Sequence, residues 1–567
     1  MALHVAQSHL ICQRDTLSTH QTFKNQATLQ PNSEKNFKLP TPVLINTLAP
    51  YLDGYDTDKT HFLVKGFNQG FSLGTADYIP PRVSQNHSSV HKNLDFVRNK
   101  IATEVTRGRI KGPYITPPLP NLVCSPLGAV PKRTKNSFRL IHDLSFPSSK
   151  AMPSVNSLIP KHNSVVTLET FDHVASLILQ CGRNCTIAKA DIEEAFRIIP
   201  ISPLDYHKLG FTFENKYYFD TVLPMGASSS VAIFEAFSTS IQWILQHKLH
   251  INYVSHIIDD FIFVGHAGSN TCFNSLQMFL DFAKTIGLPI KSSKTVFPNT
   301  QVEVHGILVD TNSLTASLPP DKVQLLRTLL ESFKKRKKVT LKQLQSLLGH
   351  LNFACKVIKP GRCFLRRLYD LTIGCTKPNH HIRLTSETRA DIALWHTFLN
   401  DYNGCTLLTG DRFTTSTTLK LFTDAAGSKG FACTHGSSWT FGIFPQKVKE
   451  HHINILELYP IALAVNMFGH LWQNTNICFI CDNMAVVYCL NKQSSKDKTM
   501  MKLIRNIVLS ALENNFCFQA KHISTKKNTI CDLLSRLQVQ EALTLAPHLN
   551  KTPLPLPIQM SPLALLQ

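Results

Sequence analysis

The order of apolar and polar positions divides the chain into segments before any chemistry is considered. Across residues 95–109, Phe96, Ile101 and Val105 recur at near-helical spacing. A loop punctuated by Pro113, Pro117, Pro118 and Pro120 follows. Residues 123–139 then predict a hairpin whose apolar arms enclose the basic turn Val130-Pro-Lys-Arg-Thr-Lys-Asn-Ser-Phe-Arg139. Residues 186–189 predict a short strand running into Asp191, and residues 216–219 an aromatic strand. Ile233, Phe237, Ile241 and Ile244 place an amphipathic helix over residues 230–245. Residues 251–265 are apolar on both sides of Asp259-Asp260, which predicts two strands joined by a tight turn. After Pro319-Pro320 come two helical patterns. The first covers residues 322–333 and ends in the basic run Lys334-Lys335-Arg336-Lys337-Lys338; the second is opened by Thr340-Leu-Lys-Gln343, a capping-box pattern. Helical character continues past Pro360-Gly361 to Tyr369. From Leu419 the pattern becomes strands, then helices, with an acidic residue at each junction.

Composition sharpens this picture in two ways. At 567 residues the chain is too long for one core and predicts three or more domains. Lys and Arg exceed Asp and Glu by 59 − 38 = 21, a balance that points to nucleic acid or another anionic partner. Hydrophobic content of 43% is that of a globular chain and excludes general disorder. The fifteen Cys show no zinc spacing, and Cys478-Phe-Ile-Cys481 reads as buried thiols in a reducing compartment. The N-terminus lacks a signal-peptide pattern and no apolar run is long enough to cross a bilayer, so a soluble intracellular protein without membrane contact is expected.

Two sets of carboxylates stand in apolar settings, where acids are seldom placed unless a cation compensates them. The first set is Asp191 in Ala-Asp-Ile-Glu-Glu-Ala-Phe196 and the pair Asp259-Asp260. Nucleotidyl transfer requires two metal ions about 4 Å apart, held by carboxylates that converge from different segments. Asp191 and Asp259 suit that role, with Asp260 in support. An Asp-Asp pair is by itself an ordinary turn signal, so its neighbours matter. Phe196 is placed to lie under the sugar and exclude a 2′ hydroxyl, and Met225 and Gly226, in a tight loop, to touch the nucleotide or template. Lys132 and Arg139 flank a hairpin tip suited to gripping a triphosphate. Lys294 follows at a spacing suited to protonating the leaving pyrophosphate.

The series Ser125-Pro-Leu-Gly-Ala-Val-Pro-Lys132, Phe138-Arg-Leu-Ile-His-Asp-Leu-Ser145, Ala190-Asp-Ile-Glu-Glu-Ala-Phe196, Leu223-Pro-Met-Gly226, Ile257-Ile-Asp-Asp260 and Val304-His-Gly-Ile307 resembles the fingers and palm of a reverse transcriptase. The segment from Leu344 to Arg367, with Leu348-Gly-His-Leu-Asn-Phe353 and Lys359-Pro-Gly-Arg-Cys-Phe364, is similar to the thumb of DIRS/Ngaro-type retrotransposons, the tyrosine-recombinase class. Two positions depart from the family pattern. Ile257 stands where an aromatic Tyr is usual, which bears on the primer-terminus contact, and Val231 stands where many relatives carry Pro. The basic run 334–338 reads equally as a solvated helix end favouring the C-terminal dipole and as a phosphate grip.

The second acidic set is Asp424, Glu457, Asp482 and Asp532. Asp424 and Asp482 close apolar strand patterns, and Asp532 opens a helix. Pro460 predicts a helix starting close by, with Glu457 in its first turn. In this order the four acids resemble the Asp-Glu-Asp-Asp set of ribonuclease H. His522 nearby reads chiefly as a loop residue contacting backbone, with proton transfer or product release as the other reading.

The fold class expected is α+β and α/β multidomain: a right-hand polymerase of fingers, palm and thumb, followed by an RNase H-like α/β domain. The expected boundaries are a disordered segment 1–60, fingers and palm 61–315, a helical thumb 316–375, a connection 376–418, an RNase H-like domain 419–540 and an extended Pro/Leu-rich tail 541–567. The resemblance implies two Mg²⁺ ions per site, Mn²⁺ being an alternative, held by Asp191, Asp259 and Asp260 and by Asp424, Glu457, Asp482 and Asp532. It implies an RNA template, a DNA primer, RNA–DNA hybrid and deoxynucleoside triphosphates as partners. The alternatives are a catalytically decayed or host-recruited nucleic-acid-binding protein and an LTR-type retroelement polymerase.

Overall fold

The computed structural model describes residues 38–566 apart from 77, 133–136, 149–151, 402–404, 408–413, 474, 515 and 525–527. Residues from Pro40 onward form one compact unit. The first 37 residues, and with them most of the segment expected to be disordered, lie outside the described residues. The rest of that segment is folded, contrary to expectation. Ile45–Leu48 is a helical turn, Thr57–Gln69 is a helix capped by Asp56, and Val43, Leu48 and Leu52 join the core. A polar, turn-rich composition hid three apolar anchors spaced along it.

The sheet that carries the first acidic set has four strands in the order Val296–Asn299, Thr186–Asp191, Asp260–Gly265, Val254–Ile257. Side chains alternate across it, so Ala188 and Ala190 face one way and Lys189 and Asp191 the other. The alanine face packs in one cluster with Phe234 and Phe237 of the helix Ser230–His247 and Phe279 of the helix Thr271–Thr285. A second sheet of five strands includes Gly210–Phe213, Lys216–Asp220 and Ile110–Tyr114, and the helix Leu94–Thr106 packs against it. The expected hairpin forms from Leu127–Pro131 and Phe138–His142, paired antiparallel from Leu127↔His142 to Pro131↔Phe138. Its tip, 133–136, lies outside the described residues.

The helix Pro320–Lys334 begins on Pro320, whose missing N–H costs nothing at that position. Thr340 and Gln343 make the reciprocal capping box that opens the helix Leu341–Ala354. The segment 376–418 is built into this region. Its strand His381–Arg383 pairs with Lys338–Thr340, its helix Ser386–Asp401 packs on Pro320–Lys334, and Cys405–Leu407 adds a fourth strand beside Thr315–Ser317. Gly361 lies against the buried indole of Trp395, where a Cβ would meet the ring at 2.3 Å.

Beyond it, Leu421–Ala425, Gly430–His435 and Ser438–Ile443 form an antiparallel sheet, and Asn476–Cys481 pairs in parallel with Cys517–His522. Two expectations fail here. The helix carrying Glu457 runs Ile453–Phe468, so it begins seven residues before Pro460, and Glu457 lies beyond its first turn. Pro460 is accommodated inside the helix because the surrounding side chains are buried, and packing outweighs the lost backbone hydrogen bond. With the turn that follows, Ile453–Trp472 also has the length and apolarity of a membrane span, which the sequence reading had excluded; most of it is buried in the core.

The Pro/Leu-rich tail is not an extended linker. After the helix Val539–Leu545 it lies along the strand Ser438–Ile443, where the Leu554 N–H donates to the Trp439 carbonyl at 2.7 Å. Trp439 Nε1 donates to the Asn550 carbonyl and Tyr459 Oη to that of Met560, both at 2.7 Å. One apolar cluster runs from Ile187 and Ile262 through Leu344, Phe364 and Trp395 to Leu463, Ile504 and Ile507.

Candidate active sites

Asp191 ends its strand directly opposite Asp260 in the antiparallel ladder, and Asp260 in turn pairs with Ile257. Ile258 and Asp259 alone therefore make the turn. Ile258 has φ +57°, a left-handed conformation that a β-branched residue adopts only under strain from its surroundings. The Asp259 carbonyl accepts the Ile192 N–H at 2.9 Å, which ties the turn to the end of the Asp191 strand. Three carboxylates thus meet on one edge. Burial, with Asp191 and Asp260 alongside, pushes the Asp259 carboxyl up to about 6, and burial also raises Asp260. Lys294 Nζ donates to Asp191 Oδ2 at 2.7 Å. The sequence placed this lysine at the leaving group; here it partly compensates the acids themselves.

The other expected nucleotide contacts come from separate elements. Phe196 sits in the helical turn Ala195–Ile198 with its ring centroid 5.4 Å from that of Phe234. Lys132 and Arg139 close the described part of the hairpin, exposed and without ion-pair partners among the described residues. Met225 is exposed, and Gly226 must be glycine because a Cβ would fall 1.9 Å from the His142 carbonyl oxygen. Asn156 was not anticipated. Its Nδ2 donates to the Gly226 carbonyl and its Oδ1 accepts the Ser228 N–H, both at 2.8 Å. No local pattern marks it, since the loop it holds is some seventy residues later (70 and 72 positions).

In the second site, Asp424, Glu457 and Asp482 bring carboxylate oxygens within 4.8 Å of one another. Asp424 comes from the strand Leu421–Ala425, Glu457 from the buried helix, and Asp482 directly follows the strand Asn476–Cys481. Ser535 Oγ donates to Asp424 Oδ2 at 2.6 Å, and Asn528 Nδ2 to Oδ1 at 3.3 Å. Burial, then the neighbouring Asp424 and Asp482, push Glu457 up to about 9, and burial lifts Asp424 to about 6. Asp532, on the helix Thr529–Ser535, stands outside the triad and accepts from Arg536 Nε at 2.9 Å, yet its charge still acts on Asp424 and Glu457. His522 lies with its Nε2 3.1 Å from the Asp482 carbonyl, the backbone contact first expected of it. Three hard oxygen donors, partly buried and mutually destabilised, fit a divalent cation.

The geometry of the first site joins a strand end to a two-residue turn between paired strands, each carrying acid. Residues 130–309 match the family model of reverse transcriptase, an RNA-dependent DNA polymerase. The chain therefore contains a reverse transcriptase domain, homologous to those of retroviral and retrotransposon Pol polyproteins, in a reverse transcriptase polymerase fold of mixed α and β structure. Protein P of heron hepatitis B virus is 24% identical over 294 residues, covering 51% of this chain and 35% of that protein. The retrovirus-related Pol polyprotein from transposon opus of Drosophila melanogaster is 24% identical over 289 residues, 49% of this chain and 25% of that protein. The chain thus spans about a third or less of the length of these relatives. A solved structure of the foamy viral protease–reverse transcriptase in complex with double-stranded DNA is similar at 17% identity and TM-score 0.48, over 87% of this chain and 84% of that one.

Proposed function

We propose that this chain copies RNA into DNA and cuts the RNA strand of the resulting hybrid, as the intracellular polymerase of a DIRS/Ngaro-type retrotransposon. The observation that carries this reading is the convergence of two separate carboxylate sets in one strongly basic chain. Asp191 is registered opposite Asp260 beside Asp259, and Asp424, Glu457 and Asp482 meet within 4.8 Å. The retrotransposon class rests on the segment from Leu344 to Arg367.

Asp191 and Asp259, with Asp260 in support, would hold two Mg²⁺ ions at the first site; Asp424, Glu457, Asp482 and Asp532 would hold two at the second. The ions supply charge neutralisation at phosphate and activation of the attacking hydroxyl or water. The chain's own residues do the rest. Lys132 and Arg139 bind the triphosphate of an incoming deoxynucleotide, Phe196 lies beneath its sugar, and Met225 and Gly226 touch the nucleotide or template. Lys294, which donates to Asp191 here, would be the proton donor to the leaving pyrophosphate with a metal ion compensating the acids in its place. At the second site Ser535 and Asn528 orient Asp424, and Arg536 holds Asp532 at the rim.

Primer extension on a homopolymer RNA template with Mg²⁺ tests this, comparing the wild type with Asp259→Asn. DNA synthesis that disappears in the variant supports both the activity and the metal role. No synthesis by the wild type, with hybrid binding intact, would make the chain a decayed or host-recruited nucleic-acid-binding protein instead. Cleavage of labelled RNA in a hybrid, lost in Asp424→Asn, tests the second site separately.

A further inference from the structure

The turn that carries Phe196 is held by charge at both ends, half-exposed at the first and buried at the second. On its N-terminal side Glu194, in a left-handed conformation at φ +51°, takes ion pairs from Arg107 and Arg109. On its C-terminal side Arg197 Nε and Nη2 donate to Glu104 Oε2 at 3.1 and 2.9 Å. Arg197 Nη2 also pairs with Asp220 Oδ1 at 2.7 Å. Glu104, Arg107 and Arg109 lie on, or just beyond, the helix Leu94–Thr106, so one element grips both ends of the turn with opposite signs of charge. The chain of contacts continues. Asp220 Oδ2 lies 3.3 Å from His142 Nδ1, and His142 Nε2 lies 3.0 Å from the Gly210 carbonyl. The backbone carbonyl of that histidine closes on Gly226, and Arg139 lies three residues earlier on the same strand. The side chains of Glu104 and Asp220 are only 2% and 6% exposed. Burial alone would push both carboxyls up; Arg197 beside them holds both low. Buried ion networks seldom raise net stability over apolar packing, so fixed geometry is the property such a network best explains here.

We propose that Arg197 is a positioning residue for sugar selectivity: tied to Glu104 and Asp220, it holds Phe196 at the height that admits a deoxyribose and refuses a 2′ hydroxyl. The inference rests on the proposed place of Phe196 beneath the sugar. Arginine is required because its planar fork meets two carboxylates at once, which a lysine ammonium on a flexible stem cannot do with the same definition. The Phe196 ring rests on Phe234, and Arg197 is the charged residue next to it within the turn Ala195–Ile198.

The test is single-nucleotide incorporation by the full chain, with a deoxynucleotide and its matched ribonucleotide, for Arg197→Lys, Phe196→Ala and the wild type. The expected result is a fall of about tenfold or more in the deoxy-to-ribo efficiency ratio of Arg197→Lys, with template–primer affinity unchanged, since small misplacements of a positioned group have large kinetic effects. Equal loss with both nucleotides in Arg197→Lys, while Phe196→Ala lowers the ratio, overturns the inference and leaves a structural role. An unchanged ratio in Phe196→Ala overturns the underlying reading of Phe196 and the inference with it. Should Arg197→Lys not fold, Glu104→Gln, nearly isosteric and on a different element from Phe196, carries the same ratio measurement with the same two outcomes.

Discussion

At the scale of single residues, the acids at both sites keep protons that solvent-exposed carboxyls would lose. Asp259 and Asp424 stand at about 6 and Glu457 at about 9, each raised first by burial and then by neighbouring acids. A carboxyl raised in this way binds its proton more tightly when folded. Its stabilising contribution is full below the unfolded value near 4 and is lost as pH rises through the folded value. The metal-free protein is therefore expected to lose thermal stability steadily between roughly pH 5 and pH 9. Added Mg²⁺ should restore it most at the alkaline end, where the ligands are already deprotonated. Glu194, held down at about 2 by Arg109 and its neighbours against the effect of burial, titrates below this window and does not blur it. Melting curves across pH with and without Mg²⁺ check this; a metal-free midpoint that is flat or rises with pH would contradict it.

At the scale of elements, most local signals were read directly and two were overridden. The capping box at Thr340 was legible because all its partners lie within four residues: Thr340 Oγ1 accepts the Gln343 N–H, and Gln343 Oε1 accepts the Thr340 N–H at 2.9 Å. Thr340→Ala should cost about 1 kcal/mol of stability, measured by denaturant unfolding, as expected for loss of an N-cap. Pro460 gave the opposite lesson. The local rule that proline starts helices was outweighed by a helix buried on nearly all sides. The tail misled for a related reason. Its Pro and Leu content looks like a linker until its carbonyls meet Trp439, Thr440 and Tyr459, each more than a hundred residues away in sequence (111, 114 and 101).

At the scale of the whole molecule, the region carrying Asp424, Glu457 and Asp482 is joined to the reverse transcriptase domain by more than a linker. Asp391, fully buried on the helix Ser386–Asp401, takes Arg505 Nη1 at 3.2 Å and Nη2 at 2.5 Å from the helix Lys498–Glu513. Arg367 adds a third contact at 3.5 Å, and the Arg505 guanidinium lies 4.4 Å over the Phe364 ring. Removing the acid would leave two cations without their shared partner. Asp391→Ala should cost about 3–5 kcal/mol, the range for breaking a buried pair from one side. Scanning calorimetry should show the region carrying Asp424, Glu457 and Asp482 melting apart from the rest in this variant and together with it in the wild type. Identical traces would mean the apolar cluster alone holds the two together.

The sequence by itself marked which acids are candidates for the chemistry and in what order. Asp191, Asp259-Asp260, Asp424, Glu457, Asp482 and Asp532 each sit in a short apolar frame that local periodicity reveals. It likewise determined the strands and helices that present most of them, because those depend on neighbours a few residues apart. The tertiary structure alone decided which acids meet and which groups hold the site. It drew Asp424, Glu457 and Asp482 together and left Asp532 with Arg536 at the rim. It moved Lys294 onto Asp191, set Asn156 under the Gly226 loop and buried Arg197 between Glu104 and Asp220. Apart from the local Asp532–Arg536 pair, these pairings join residues tens to more than a hundred positions apart. Their strength comes from burial and from fixed relative geometry, neither of which exists until the chain has folded.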